Sequence, residues 1–197
     1  MKKTTTVLKI VVLLPCLLSL LSCDKINPEH ASSSILLVHR INAYTATGDT
    51  ADFLESDVLE TAMLTPTVVS DIITATLEAR LKAPETVGPG PSYQNRIVLH
   101  SYDVTYTYID STALVSGTPA GFSGELSVAL DIDSIVDVSF VIVRNQAKNA
   151  IPLLNIQGTN ELLQVVATIT FYGDDIAGNP VQATASLTIF FADYADA

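Results

Sequence analysis

The sequence predicts an all-β protein: one domain built as a β-sandwich of seven or eight strands. Three observations predict it. Val, Ile, Thr, Ala and Leu are abundant, Tyr and Phe recur and Trp is absent, a bias toward residues that pack on a pleated surface. Apolar residues return with a period of two in one segment after another, which puts them on one face of a strand. No repeat of fixed period stands out, so a solenoid or propeller is not expected.

Taken in order, residues Asp24 to Ser34 are polar, with Pro28 and a run of three serines, the composition of a flexible tether. Fully extended, such a segment reaches roughly 35 Å at about 3.3 Å per residue. From Ile35 to Tyr44, Leu37, His39, Ile41 and Ala43 alternate with Leu36, Val38, Arg40 and Asn42, which reads as a strand. Over Ser70 to Lys82, Ile73, Ala75, Leu77, Ala79 and Leu81 share one face. The Leu, Glu, Ala, Arg and Lys there also suit a helix, but the period of two favours a strand.

Pro84, Gly88, Pro89, Gly90 and Pro91 make the next segment a loop. Between Arg96 and Asp110, Ile97 and Leu99 lie on odd positions, then Tyr102, Val104, Tyr106 and Tyr108 on even ones. A bulge near His100 or Ser101 reconciles the two faces. Leu126, Val128, Leu130 and Ile132 form another alternating face, and Val136 to Val143 is apolar on both sides, as a central strand is. Leu163 to Phe171 and Val181 to Phe191 are matched amphipathic strands around the Gly173 to Pro180 turn, which predicts a hairpin. Its apolar face needs a second layer, hence the sandwich.

The amino terminus reads differently. Lys2, Lys3 and Lys9 precede the apolar stretch Ile10 to Leu21 with no acid among them, a basic region and a hydrophobic region in the order of a signal peptide. Helical, Ile10 to Ser22 would span about 20 Å against the roughly 30 Å of a bilayer core, and Pro15 disfavours the helix. Leu20, Leu21, Ser22 and Cys23 resemble the lipobox of bacterial lipoproteins. That resemblance implies cleavage after Ser22 and a diacylglyceryl group on the Cys23 sulfur, with a further acyl chain on the new amino terminus. Two or three chains hold a protein where one does not. Asp24 resembles the inner-membrane retention signal of enterobacterial lipoproteins, a rule other bacteria do not follow, so inner and outer membrane both stay open. The expected organisation is a signal peptide over 1–22, a lipidated terminus and tether over 23–34, and the sandwich over 35–197.

Cys16 leaves with the signal, so Cys23 is the one mature cysteine and no internal disulfide forms. The strand spacing resembles immunoglobulin-like and fibronectin-like bacterial surface domains. The run Phe171, Tyr172, Gly173 and Asp174, through Ala177, Gly178 and Asn179, to Phe191, Ala192 and Asp193 resembles the ending of a recurring group of lipoproteins. Neither likeness implies an activity, and the cysteine pair and core tryptophan of antibody-type domains are absent.

Charge narrows the partners. Without the three signal lysines, seven Lys and Arg face twenty-one Asp and Glu, a mature net charge of −14. Nucleic acid is excluded as a partner by the lack of clustered cations, and membrane binding rests on lipid, not on a basic patch. No cofactor is expected beyond the covalent lipid on Cys23.

Motifs for chemistry are sparse. His30, His39 and His100 lack metal-site spacing. Asp131, Asp133 and Asp137 are weak candidates for calcium, without the glycine and final glutamate of an EF-hand loop, and read first as solvated acids. Asp174 and Asp175 read as turn formers. Tyr102, Tyr106 and Tyr108 suit core packing better than an aromatic platform for a sugar. No serine sits in a nucleophile elbow, and there is no phosphate loop or dinucleotide fingerprint. The expectation is a non-enzymatic binding module with a protein or glycan partner in the envelope, recognition residing in the loops Pro84 to Asn95 and Ser116 to Gly124. The alternatives are an envelope enzyme acting on glycan or lipid through paired carboxylates, and a structural subunit joined through an edge strand.

Overall fold

A computed structural model describes residues 32–61, 65–83, 95–109 and 117–195. The signal peptide, Cys23, Asp24 and His30 lie outside the described residues, as does the Pro84 loop up to position 94. Among the described residues nine strands form two sheets: β1 (Ser34–Tyr44), β2 (Thr50–Ala51), β3 (Phe53–Asp57), β4 (Asp71–Leu81), β5 (Ile97–Tyr108), β6 (Phe122–Leu130), β7 (Ile135–Val143), β8 (Leu163–Asp175) and β9 (Pro180–Ala192). A four-stranded sheet runs β2-β1-β4-β7 and a five-stranded sheet β3-β9-β8-β5-β6. The count exceeds the seven or eight expected because the chain leaves β2 in one sheet and, after Asp52, enters β3 in the other, where it pairs in parallel with β9.

Alternation became burial almost position for position in the carboxy-terminal third. Leu163, Val165, Ala167, Ile169 and Phe171 are buried from β8, and Val181, Leu187, Ile189 and Phe191 from β9, with an unbroken register from Leu163 opposite Phe191 to Asp174 opposite Pro180. The expected bulge in β5 is present as a register shift between Leu99 and Ser101. β4 is a strand, not a helix, with Ile73, Ala75, Leu77 and Ala79 facing the core.

Three expectations are corrected. A second register shift, between Val38 and Arg40 of β1, exchanges the faces, so that Leu36 and Val38 and then Ile41 and Ala43 turn inward; strict alternation missed it because apolar residues occupy both faces before the bulge. β7 is the outer strand of its sheet, not a central one. Its inward face is Val138, Phe140 and Ile142, while Ile135 is 62% exposed. The three-serine run is not free tether: Ser34 opens β1, the Ser34 hydroxyl donates to the Asn95 carbonyl at 2.9 Å, and the Ser33 hydroxyl to Asn95 Oδ1 at 2.9 Å.

The sheets meet through aromatic rings. Phe140 of β7 packs edge-on against Tyr102 of β5 at 5.1 Å and against Phe171 of β8 at 5.2 Å, a geometry that adds about 0.5–1.5 kcal/mol per pair beyond area. Tyr102 extends beneath β6, where Gly124 leaves room: a Cβ there would collide with the Tyr102 ring. That ring is held by Phe122, Phe140 and Phe171 and cannot swing aside. Gly124→Ala is therefore expected to destabilise the fold by about 1–3 kcal/mol, read as a lower urea midpoint with an unchanged slope; an unchanged midpoint would show that Tyr102 repacks freely.

Candidate functional site

The strands run between two ends of the sandwich. Ser34 at the start of β1, the β4–β5 and β6–β7 connections and the β8–β9 turn share one end, called the base here; the β3–β4, β5–β6 and β7–β8 connections share the other, the crown. Of the two loops expected to carry recognition, residues 84–94 of the first and Ser116 of the second lie outside the described residues. Phe122, Ser123 and Gly124, counted with the second loop, are already in β6.

At the base, Asp175 is turn chemistry, as expected: its carboxylate accepts from the Asn179 backbone N–H at 2.8 Å and from Asn179 Nδ2 at 3.0 Å. Burial alone would raise its pKa, but these bonds from Asn179 hold it below the ordinary value. Asp174 lies 3.5 Å from His100. The three aspartates weighed for calcium do not converge. Asp131 takes Arg96 Nε at 2.6 Å, Asp137 accepts from the Thr76 hydroxyl at 2.7 Å on the outer face of β7, and Asp133 sits in a turn at φ 60°. Among the described residues no group of three or more His, Cys, Asp or Glu is placed to hold a metal.

The tyrosines are divided. Tyr102 and Tyr106 are buried, and their hydroxyls cross the core to the edge strand: Tyr106 donates to the Ile142 carbonyl at 2.5 Å, and Tyr102 hydrogen-bonds to the Val141 backbone. Burial raises both phenols above their ordinary value. Tyr108 is half-buried at the crown. They form no surface platform.

Sequence reasoning missed the most polar buried cluster. Arg144 ends β7, and α1 (Asn145–Lys148) then carries the chain over the crown. Lys148 is 1% exposed; its Nζ donates to Asp71 Oδ1 at 2.7 Å and to the Asp57 carbonyl at 2.6 Å. Ser56 donates to Asp71 Oδ2 at 2.6 Å, and Gln157 Nε2 reaches the carbonyls of Val58 and Lys148. Burial outweighs Lys148 and lifts the Asp71 carboxyl above its ordinary value. The cluster ties β3, β4 and the crossover together as a brace. No spacing could have revealed it, because its members lie 77 and 91 residues apart.

Lys148→Met leaves Asp71 buried without its counter-charge and is expected to cost about 3–5 kcal/mol, whereas Lys148→Met with Asp71→Leu recovers most of the loss. A chemical-denaturation double-mutant cycle measures this, and additive effects would show that the two groups do not act as a pair.

A second polar cluster lies on the outer face of the four-stranded sheet. Arg80 Nε donates to Glu78 Oε1 at 2.7 Å, and His39 Nε2 lies 2.5 Å from Glu78 Oε2. The Arg80 hydrogen bond, with that of His39, holds the Glu78 carboxyl below its ordinary value of 4.5. A depressed carboxyl contributes stability above its unfolded pKa and loses it as pH falls through the folded one. The wild type should thus lose more thermal stability on acidification from pH 4.5 downward than Glu78→Gln; parallel pH profiles would exclude the linkage.

The crown differs in surface from the base. Tyr44, Val69, Ile72, Ile109, Ile151, Leu154 and Leu162 are exposed toward it, against Val98, Ile135 and Ile176 toward the base. Beside Ile151, which is 72% exposed, lies a groove of about 310 Å³ lined by Phe122, Arg144 and Ala147 among others. The Arg144 guanidinium stacks 4.0 Å above the Phe122 ring and donates to the Ser123 carbonyl.

Neither a protein-family profile nor a protein of curated function matches the sequence. Among solved structures the chain is similar to the sporulation control protein Spo0M of Bacillus subtilis, at 10% identity and a TM-score of 0.29, over 80% of this chain and 49% of that one. The likeness spans about half of the Spo0M chain and carries no functional argument.

Proposed function

We propose that this chain is the precursor of a bacterial lipoprotein, cleaved after Ser22 and held to the inner or outer membrane by lipid on Cys23, and that its sandwich is a non-enzymatic module binding another component of the envelope. The amino-terminal pattern of lysines, apolar run and Leu20-Leu21-Ser22-Cys23 supports the first half. Among the described residues no helix is long and apolar enough to cross a membrane.

The observation that carries the binding role is the unequal distribution of exposed apolar side chains. β1 starts at the base, so a tether leading back from Ser34 to Cys23 holds that end toward the bilayer and turns the crown away. Among the described residues, seven of the ten large exposed hydrophobic side chains lie at the crown. Apolar surface gathered at one end of an acidic protein is surface suited to a partner. The crown, rather than the Pro84 loop, is the proposed recognition surface, and the partner class it suits is a protein with a complementary apolar face.

Cys23→Ser is expected to shift the protein from the membrane fraction to the soluble one; membrane retention equal to the parent would overturn the anchor. Affinity capture from solubilised envelopes should enrich a partner that Ile151→Asp with Leu154→Asp loses and Ile176→Asp, at the base, keeps. Equal capture by both variants would remove the crown from the proposal.

A further inference from the structure

On the outer face of the four-stranded sheet, most polar side chains satisfy one another. The Thr74 and Ser139 hydroxyls are 3.0 Å apart, and Thr76 donates to Asp137 at 2.7 Å. The pattern breaks where β2 joins β1. The register sets Tyr44 opposite Thr50 and Ala43 opposite Ala51, and these strands, with Asp52 where the chain departs for the other sheet, enclose a groove of about 540 Å³. Among the described residues, the side chains of Asn42, Tyr44, Thr50 and Asp52 have no protein partner. Arg40 engages only through Nε, at 3.5 Å from the Thr76 hydroxyl. Its terminal nitrogens are left for the groove.

The inventory selects a ligand class. Arg40 donates, Asp52 accepts, Asn42 does both, and the hydroxyls of Thr50 and Tyr44 turn either way. An anion is disfavoured because one guanidinium is countered by a carboxylate in the same groove, and a hydrophobic ligand finds little apolar wall there. A neutral sugar fits both. Its hydroxyls each donate and accept, a vicinal pair can bridge a carboxylate and a guanidinium, and its C–H face can lie on the Tyr44 ring, which is 38% exposed. The volume falls in the range of small-ligand sites, roughly 300–1,000 Å³.

We propose that the β1–β2 groove is a carbohydrate-binding site for a neutral oligosaccharide, read by Arg40, Asn42 and Asp52 and stacked on Tyr44. The inference goes beyond the anchor and the apolar crown: it adds a second ligand in the polar β1–β2 groove, which shares Tyr44 with the crown's edge, and it involves binding without bond cleavage.

The test is saturation-transfer NMR and calorimetry on the detergent-solubilised full chain with maltotriose, cellotriose, tri-N-acetylchitotriose and mannotriose. At least one is expected to bind, with Tyr44→Ala and Asp52→Ala each weakening it by about tenfold or more and Thr184→Ala, on the outer face of the other sheet, leaving it unchanged. The substituted side chains are exposed, so thermal midpoints should stay at the parent value and report that the fold survives. No saturation transfer to any of the four at about 10 mM, weaker than any useful affinity, would overturn the proposal, and so would binding that Tyr44→Ala and Asp52→Ala leave intact. Because the measurement is made in micelles, its failure leaves the lipoprotein reading standing, and loss of the anchor leaves the sugar site standing.

Discussion

The two sheets are pinned to each other where Phe140 reaches across from one to Tyr102 and Phe171 of the other. The described residues hold no cysteine and the sequence has no tryptophan, so the covalent and aromatic pin of antibody-type sandwiches is missing from the sandwich. Ring-edge packing between the layers takes that place. It also explains two features outside the core: Gly124 on β6 makes way for the Tyr102 ring, and the Tyr102 and Tyr106 hydroxyls continue past the rings to occupy backbone groups of β7. The aromatic residues thus fasten the sheets and cover part of an outer strand.

Where a strand is buried on one face and solvated on the other, its sequence carries its own geometry. The β8–β9 hairpin was legible for that reason, from Leu163 opposite Phe191 down to the turn, and so was the β5 bulge, because Leu99 and Tyr102 keep the core at the expense of alternation. Legibility failed where apolar residues lay on both faces. In β1 the bulge after Val38 left no gap in the pattern, and β7 looked central although only one of its faces is covered. The candidate sites were the least legible. The Lys148 brace joins residues far apart in the chain, and the β1–β2 groove arises from an excursion of two strand residues, Thr50 and Ala51, too short to have a period.

The polar clusters divide the molecule into regions of different character. The base is closed by backbone and short side chains: Ser33 and Ser34 are joined to Asn95, and Asp175 holds its own turn. The crown is built by a long crossover that Lys148 and Gln157 fasten from within, leaving Ile151 and Leu154 outward. A charged group buried in a brace stabilises little in itself, yet it fixes the path of a connection that also sinks Leu153 and Ile156 into the core. Firm support beneath an apolar loop keeps the ordering cost of association low.

Among the described residues β7 is an outer strand of its sheet, with no strand paired on its far side. Two copies meeting there as antiparallel neighbours would stand head to foot, since antiparallel pairing reverses strand direction. Under the proposed anchor, molecules rooted by their amino termini in one bilayer would all stand the same way up, and that mode of polymerisation would be closed to them by orientation alone. Under the same proposal, release from the membrane would return the body to a state in which β7 can pair with a second copy.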